Sequence, residues 1–264
     1  MKRFVFIAVC AVFLVFAVAG FCHAAEVTTT WGYGGVDYNW GTGGNWDLGV
    51  PQNGVDQYIA VINDADTIAV DSAYVVNALN NYAGILDIAN YKSLTLTTGT
   101  SINNGVIRLN DTGSGAAVLY VDGTVTLGGT GSVEFFTGDQ NYIYNSGGGT
   151  LTVGADQTIH TGSGAAGTVN MAVTNQGKIS ADGGTIALTT MAKENQGTIE
   201  AVNTGILNIV DITVDNTAGT LSVDDTSTIN LSGATIQGGI SGTGNVNVSA
   251  TSYIDGTGTG GSVL

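Results

Sequence analysis

Six carboxylates crowd the stretch after Lys193: Glu194, Glu200, Asp211, Asp215, Asp224 and Asp225. Hydrolysis of a glycosidic bond uses two such groups facing one groove. Eliminative cleavage of a polysaccharide uses acids that hold calcium beside an Arg or Lys base. The six residues scatter through different phases of the repeat described below. Lys178 and Lys193 do not align either, because the position after Gly197 that matches Lys178 is Thr198. The chain therefore reads as a non-enzyme, with a polysaccharide lyase or hydrolase as the alternative.

Other chemistries find less support. His23 lies in the N-terminal leader, which leaves His160 as the one histidine of the mature chain. Its setting, Thr158-Ile-His-Thr-Gly162, is a strand running into a turn, and one His among many Ser and Asp makes no triad. A transition-metal site needs several His or Cys ligands. Calcium needs several oxygens at close range. The tight acidic pairs Asp64/Asp66 and Asp224/Asp225 match neither an EF-hand loop nor a calcium-roll repeat, so they read as turn residues. No cofactor is expected, and weak Ca2+ attraction by the acidic surface is the most that charge allows. The Gly-x-Gly stretches, such as Gly162-Ser-Gly164, precede no helix and no Gly-Lys-Ser/Thr, so they do not read as phosphate loops.

Aromatic residues offer a binding chemistry. Trp31, Trp40 and Trp46 are all the tryptophans of the chain, and they fall among glycines with Tyr33 and Tyr38. An indole face can lie on a pyranose ring, so these three residues are the candidate ligand positions. The competing expectation is a cap: the end of a solenoid exposes both its core and its free strand edges. Large aromatics cover the most area per residue, and the cap is the better-supported of the two.

The elements that would carry these residues come from a repeat. Asn175-Gln-Gly-Lys-Ile179, Asn195-Gln-Gly-Thr-Ile199 and Asn216-Thr-Ala-Gly-Thr-Leu221 place Asn residues 20 and then 21 positions apart. Apolar positions follow in step: Ile179, Ile199 and Leu221; Ile186, Leu207 and Ile229; Leu188, Ile209 and Leu231. Residues repeating at the length of one coil stack into rows through a core. Asn175, Asn195 and Asn216 then form an amide ladder that satisfies buried turn groups. Gly177, Gly197 and Gly219 sit where the chain must turn tightly or take a positive φ. Upstream, apolar-polar-apolar triplets such as Leu94-Thr-Leu96, Val125-Thr-Leu127 and Leu151-Thr-Val153 suit the short faces of a solenoid coil. The prediction is an all-β, right-handed parallel β-helix with about 20 residues per coil.

Residues 1–25 read as a secretory signal peptide: Lys2 and Arg3, an apolar run from Phe4 to Ala19, then small residues up to Ala25. Cys10 and Cys22 both lie in it, so no disulfide framework is expected in the mature chain. Lys2 and Arg3 leave with it. Lys92, Arg108, Lys178 and Lys193 then face 21 acids, a net charge of −17. Such a chain lacks the clustered cations that bind nucleic acid. The expected organisation is signal peptide 1–25, aromatic Gly-rich cap 26–56, β-helix 57–250 and Gly-rich tail 251–264. The tail shows no capping element, which is read as a fragment, a fraying end, or an end that docks a partner or another copy.

The stretch Trp40–Pro51 (WGTGGNWDLGVP), followed by Asp56–Ile62 (DQYIAVI), resembles the opening segment of secreted bacterial Gly/Thr/Asn-rich parallel β-helix surface proteins of the autotransporter-passenger and adhesin type. Gly128–Val133 (GGTGSV), Gly148–Val153 (GGTLTV) and Thr174–Gly177 (TNQG) are similar to phrases of the same families. The resemblance covers most of the mature chain, and its motifs track fold rather than activity. It implies a structural or adhesive role at an outer-membrane or extracellular surface of Gram-negative type, with glycans or a neighbouring cell surface as partners. The usual C-terminal barrel or sorting anchor of those families is not found here. A carbohydrate-binding or polysaccharide-degrading β-helix is the alternative.

Overall fold

The computed structural model describes residues 25–256, apart from residues 33, 34, 36, 55 and 114. The signal-peptide residues up to position 24 and the tail beyond 256 lie outside it. Within it the chain is a parallel β-solenoid of nine complete coils. Each coil lays down three short strands, and the strands stack into three sheets. Sheet I has eleven strands and runs from Glu26–Thr30 to Tyr253–Asp255. Sheet II has nine, from Thr67–Val70 to Ser241–Gly242, and sheet III has nine, from Ala73–Val76 to Asn245–Ser249. One short 3-10 turn, Gly43–Asn45, interrupts the β structure. No helix among the described residues is long and apolar enough to cross a membrane.

The triplet pattern explains the architecture. Alternate residues of a strand face opposite ways, so each triplet turns its two outer side chains inward. On sheet II, Ile159, Ile179, Ile199 and Leu221 stand in register. On sheet III, Ile186, Leu207 and Ile229 form one row and Leu188, Ile209 and Leu231 the next. All are buried, and burying each such side chain is worth about 1.5–3 kcal/mol. Large and small residues complement each other across the core. The Phe135 ring lies where a Cβ on Gly167 would be, within 2.2 Å of it.

Coil length departs from the regular 20-residue expectation. The spacing between register partners is 26 residues from Thr124 to Thr150 but 17 from Thr228 to Asn245, with a mean of about 22 per coil. The three copies around Asn175 are the most uniform, and they set the expectation. Earlier coils carry longer corner loops, such as the one between Asn110 and Ala117. Glu26–Thr30 pairs in parallel with Gln57–Ile62 in sheet I. At the other end of that sheet Tyr253–Asp255 pairs with Thr235–Gln237.

The corner glycines act by close approach. A Cβ on Gly197 would sit 2.1 Å from the Gly177 oxygen, and one on Gly177 would sit 2.3 Å from the Gln157 oxygen. Gly177, Gly197 and Gly219 take no positive φ. Stacked coils press the backbone of one corner onto the next, and only a residue without Cβ leaves room.

Candidate functional site

The three tryptophans are brought together and buried. Trp31, Trp40 and Trp46 keep 3%, 0% and 4% of their surface exposed, so no indole face is open to a sugar. Trp46 meets Trp31 edge to face at 5.2 Å and Trp40 at 4.8 Å. Each indole N–H finds an acceptor: Trp31 the Asp66 carboxylate at 3.2 Å, Trp40 the Pro51 carbonyl at 3.3 Å and Trp46 the Trp40 carbonyl at 2.8 Å. Tyr74 packs against Trp40 and donates its hydroxyl to Asp71 at 2.9 Å. Burial, reinforced by the Asp71 carboxylate, pushes the Tyr74 hydroxyl up to about 12. The same segment covers the strand edges. The Trp40 N–H donates to Ala69 O and the Ala69 N–H to Tyr38 O, each at 2.9 Å, on the first strand of sheet II. The Asn53 N–H donates to Val75 O at 2.6 Å on the first strand of sheet III.

Asn175, Asn195 and Asn216 stack at one corner. The Asn175 amide nitrogen donates to Asn195 Oδ1 at 2.7 Å and to Thr198 O at 2.9 Å. Asn195 repeats the pattern to Asn216 Oδ1 at 2.6 Å and Thr220 O at 2.9 Å. Asn216 ends the run on Gly239 O at 3.1 Å. The ladder begins abruptly because the residue paired above Asn175 is Val153, which has no donor. Asn175 Oδ1 is accordingly buried without a hydrogen-bond partner. A second ladder, Asn81 to Asn103 at 3.0 Å and Asn103 to Gln157 at 3.3 Å, serves the earlier coils.

The side chains available for recognition lie on the outer faces. On sheet II one column reads Asp87, Arg108, Glu134, His160, Ser180 and Glu200. Its acids are met by Arg108 within the column and by Lys178 of the neighbouring column Thr158, Lys178 and Thr198. Arg108 Nε contacts Glu134 at 3.2 Å and the guanidinium lies 4.0 Å over the Phe136 ring. Lys178 contacts Glu200 at 2.5 Å. His160 lines a shallow groove of about 700 Å³ with Asn104, Thr130, Ser132 and Thr158.

Sheet I corrects one expectation. Glu194 and Asp215 do not fall at different phases; they are register partners on adjacent rungs. Above them the column continues as Thr174, Thr152, Thr126 and Thr100. Both acids border a cleft of about 310 Å³ whose small residues are Ala172 and Ala192. The alignment was readable, since each acid immediately precedes a ladder asparagine. Asp215 accepts from the Thr217 hydroxyl at 2.7 Å and backbone N–H at 3.1 Å, which holds its carboxyl below the usual range.

Lys193, one residue before Glu194, turns inward. It occupies the row of Val173 and Val214 and is almost fully buried. Its Nζ reaches out of the core to donate to Thr189 O at 3.0 Å and Met191 O at 2.5 Å, across a turn where Thr190 has φ 72°. Burial lowers its pKa to about 7. No group of three or more potential metal ligands occurs among the described residues.

Sheet III carries an aromatic patch that sequence reading missed. Tyr120 and Tyr144 are register partners, as are Val118 and Tyr142 in the next column. Tyr120 and Tyr144 meet edge to face at 5.9 Å. Further toward the C-terminus the same face presents an outer ladder, in which Asn230 donates to Asn208 at 2.8 Å and Asn247 to Asn230 at 2.9 Å.

The fold and its faces define a parallel β-solenoid with a packed interior and side-chain columns outside. Comparison of the chain with protein-family models, curated proteins and solved structures finds no match.

Proposed function

We propose that the chain is a secreted or cell-surface structural and adhesin-like solenoid, working through its outer columns. The observation that carries this reading is register. Outward Thr, Asn and Tyr side chains recur rung after rung on sheets I and III. A face of that kind makes many weak, similar contacts, and such contacts become strong only together. The leader-like residues 1–25 and the resemblance of Trp40–Pro51 to adhesin-type surface proteins support placement outside the cell, at an outer-membrane or extracellular surface. Glycans and neighbouring cell surfaces are the partners this reading names.

A carbohydrate-active reading is favoured by one observation, the Glu194–Asp215 pair beside a cleft. Against it stands the use both carboxylates already have: Glu194 accepts from the Thr174 hydroxyl and the Gln196 amide, and Asp215 from the hydroxyl and backbone N–H of Thr217 in its own turn. The two readings separate in one assay: incubation of the folded chain with polysaccharides and measurement of new reducing ends. The adhesive reading expects none above background, and none lost in Glu194→Gln. Turnover abolished by Glu194→Gln would establish the enzyme instead.

A further inference from the structure

We infer that the outer face of sheet III carries a stacking site for a neutral saccharide, centred on Tyr120, Tyr142 and Tyr144 with Tyr91 at one end. The inference rests on the adhesive reading and gives it a partner class and a place.

Two adjoining depressions define the site, of about 200 and 220 Å³, sharing Ala116, Val118 and Tyr120. Tyr91 and Lys92 line the first, and Tyr142 and Tyr144 the second. Tyr91 is 73% exposed and Tyr144 41%. Large aromatics held at the surface mark interaction sites more often than scattered apolar residues do.

The patch is constructed rather than incidental. Tyr91 has φ 58°, a left-handed conformation uncommon for an aromatic residue. Its N–H is fixed to Ala116 O at 2.8 Å. Its ring lies over Gly115, where any Cβ would fall within 2.3 Å of it. The corner loop that carries Gly115 is fastened by Asp111, which is fully buried. The Asp111 carboxylate accepts the N–H groups of Gly113 at 2.7 Å, Asp139 at 3.3 Å and Gln140 at 2.9 Å. Successive coils are thereby locked together at the rim of the patch.

Charge selects the class of ligand. An anionic polymer meets the field of a strongly acidic chain. A cationic partner finds no carboxylate in the lining and meets Lys92. A neutral saccharide suits both constraints. Its C–H faces stack on tyrosine rings, and its hydroxyls pair with the phenol groups and with Ser93. Neighbouring rungs are about 4.8 Å apart, close to the length of one sugar unit; because the Tyr120 and Tyr144 rings stand at 81° to each other, one lies flat on a unit while the other meets the next unit through its edge and hydroxyl.

The test titrates the folded protein with soluble tetra- and hexasaccharides of glucose, mannose, galactose and N-acetylglucosamine, read by saturation-transfer NMR and calorimetry. At least one series is expected to bind, and to weaken about two- to tenfold for each ring removed, in Tyr144→Ala and then in Tyr120→Ala/Tyr144→Ala. Tyr142→Phe keeps the ring and should keep most of the affinity. Unchanged native-state hydrogen exchange of the amides around Tyr120 and Tyr144 shows that the variants remain folded there, and Tyr144→Ala is exposed enough to serve alone. Binding unaffected by these substitutions, binding of none of the sugars at millimolar concentration, or tyrosine-dependent binding of a cationic peptide instead would each overturn the inference. If adhesion to a surface persists in the tyrosine variants, the inference fails while the adhesive reading stands. If the folded chain adheres to nothing, both fail.

Discussion

Substitution of Asn195 by Ala tests the ladder where it is most connected. The Asn195 side chain accepts from Asn175 and donates to Asn216 and to Thr220 O, all at buried or part-buried positions. Three hydrogen bonds at about 1 kcal/mol net each, plus a share of the penalty for the orphaned partners, give a loss of about 3–4 kcal/mol. Asn247→Ala is the matched control. Its amide makes a bond of the same chemistry to Asn230 at 2.9 Å, but on the exposed face, and its loss should cost under about 0.5 kcal/mol. A solenoid opens in parts, so the assay is native-state hydrogen exchange rather than a single melting curve. The amides of Gly197, Thr198 and Thr220, which bond to Asn175 O, Gly177 O and Gly197 O, should exchange at least about a hundredfold faster in Asn195→Ala. Amides near Leu94, several coils away, should not change. Equal effects of Asn195→Ala and Asn247→Ala would refute the reasoning, because burial would then add nothing to an amide ladder.

Further outcomes follow from the same geometry. Gly197→Ala forces a methyl to within 2.1 Å of the Gly177 oxygen and should cost more than about 2 kcal/mol by chemical denaturation, while Gly54→Ala, with open space around it, should be nearly silent. Val153→Asn places a donor above the unpartnered Asn175 Oδ1, so it should destabilise by about 2 kcal/mol less than Val133→Asn, which buries an amide in an apolar row. Lys193 has a folded pKa of about 7 against an ordinary 10.5. Below pH 7 it is charged in both states and the burial penalty is felt in full. Between pH 7 and 10.5 the unfolded chain binds the extra proton, so stability rises with pH across that window. Lys193→Met should flatten the rise in denaturation midpoints measured from pH 6 to 10.

Periodicity carried the architecture well. Stacked coils place residues one coil length apart on top of one another, so Asn175, Asn195 and Asn216 disclosed the register of everything around them. The same register holds the Glu194–Asp215 pair, each acid one residue before a ladder asparagine, although the six carboxylates taken together show no common phase. The tryptophans were legible as aromatic mass but not as buried mass. Their fate depends on which strand edges the segment reaches, and Ala69 and Val75 are far from a tryptophan in sequence. Tyr120 and Tyr144 left little trace, since their coils are lengthened by corner loops and the spacing of 24 differs from the 20 and 21 of the clear repeats. Lys193 was hidden for a different reason. A lysine in an apolar row reads as a polar position until the turn carbonyls of Thr189 and Met191 are placed beside it.

The measurement closest to the proposed function is the force that detaches beads coated with residues 26–256 from polysaccharide- or cell-coated surfaces, as a function of coating density. Many weak contacts from repeated outer columns predict a force that rises more steeply than density for the folded chain and collapses when the coat is unfolded. Equal retention by folded and unfolded coats, or no retention at any density, would contradict an adhesive solenoid.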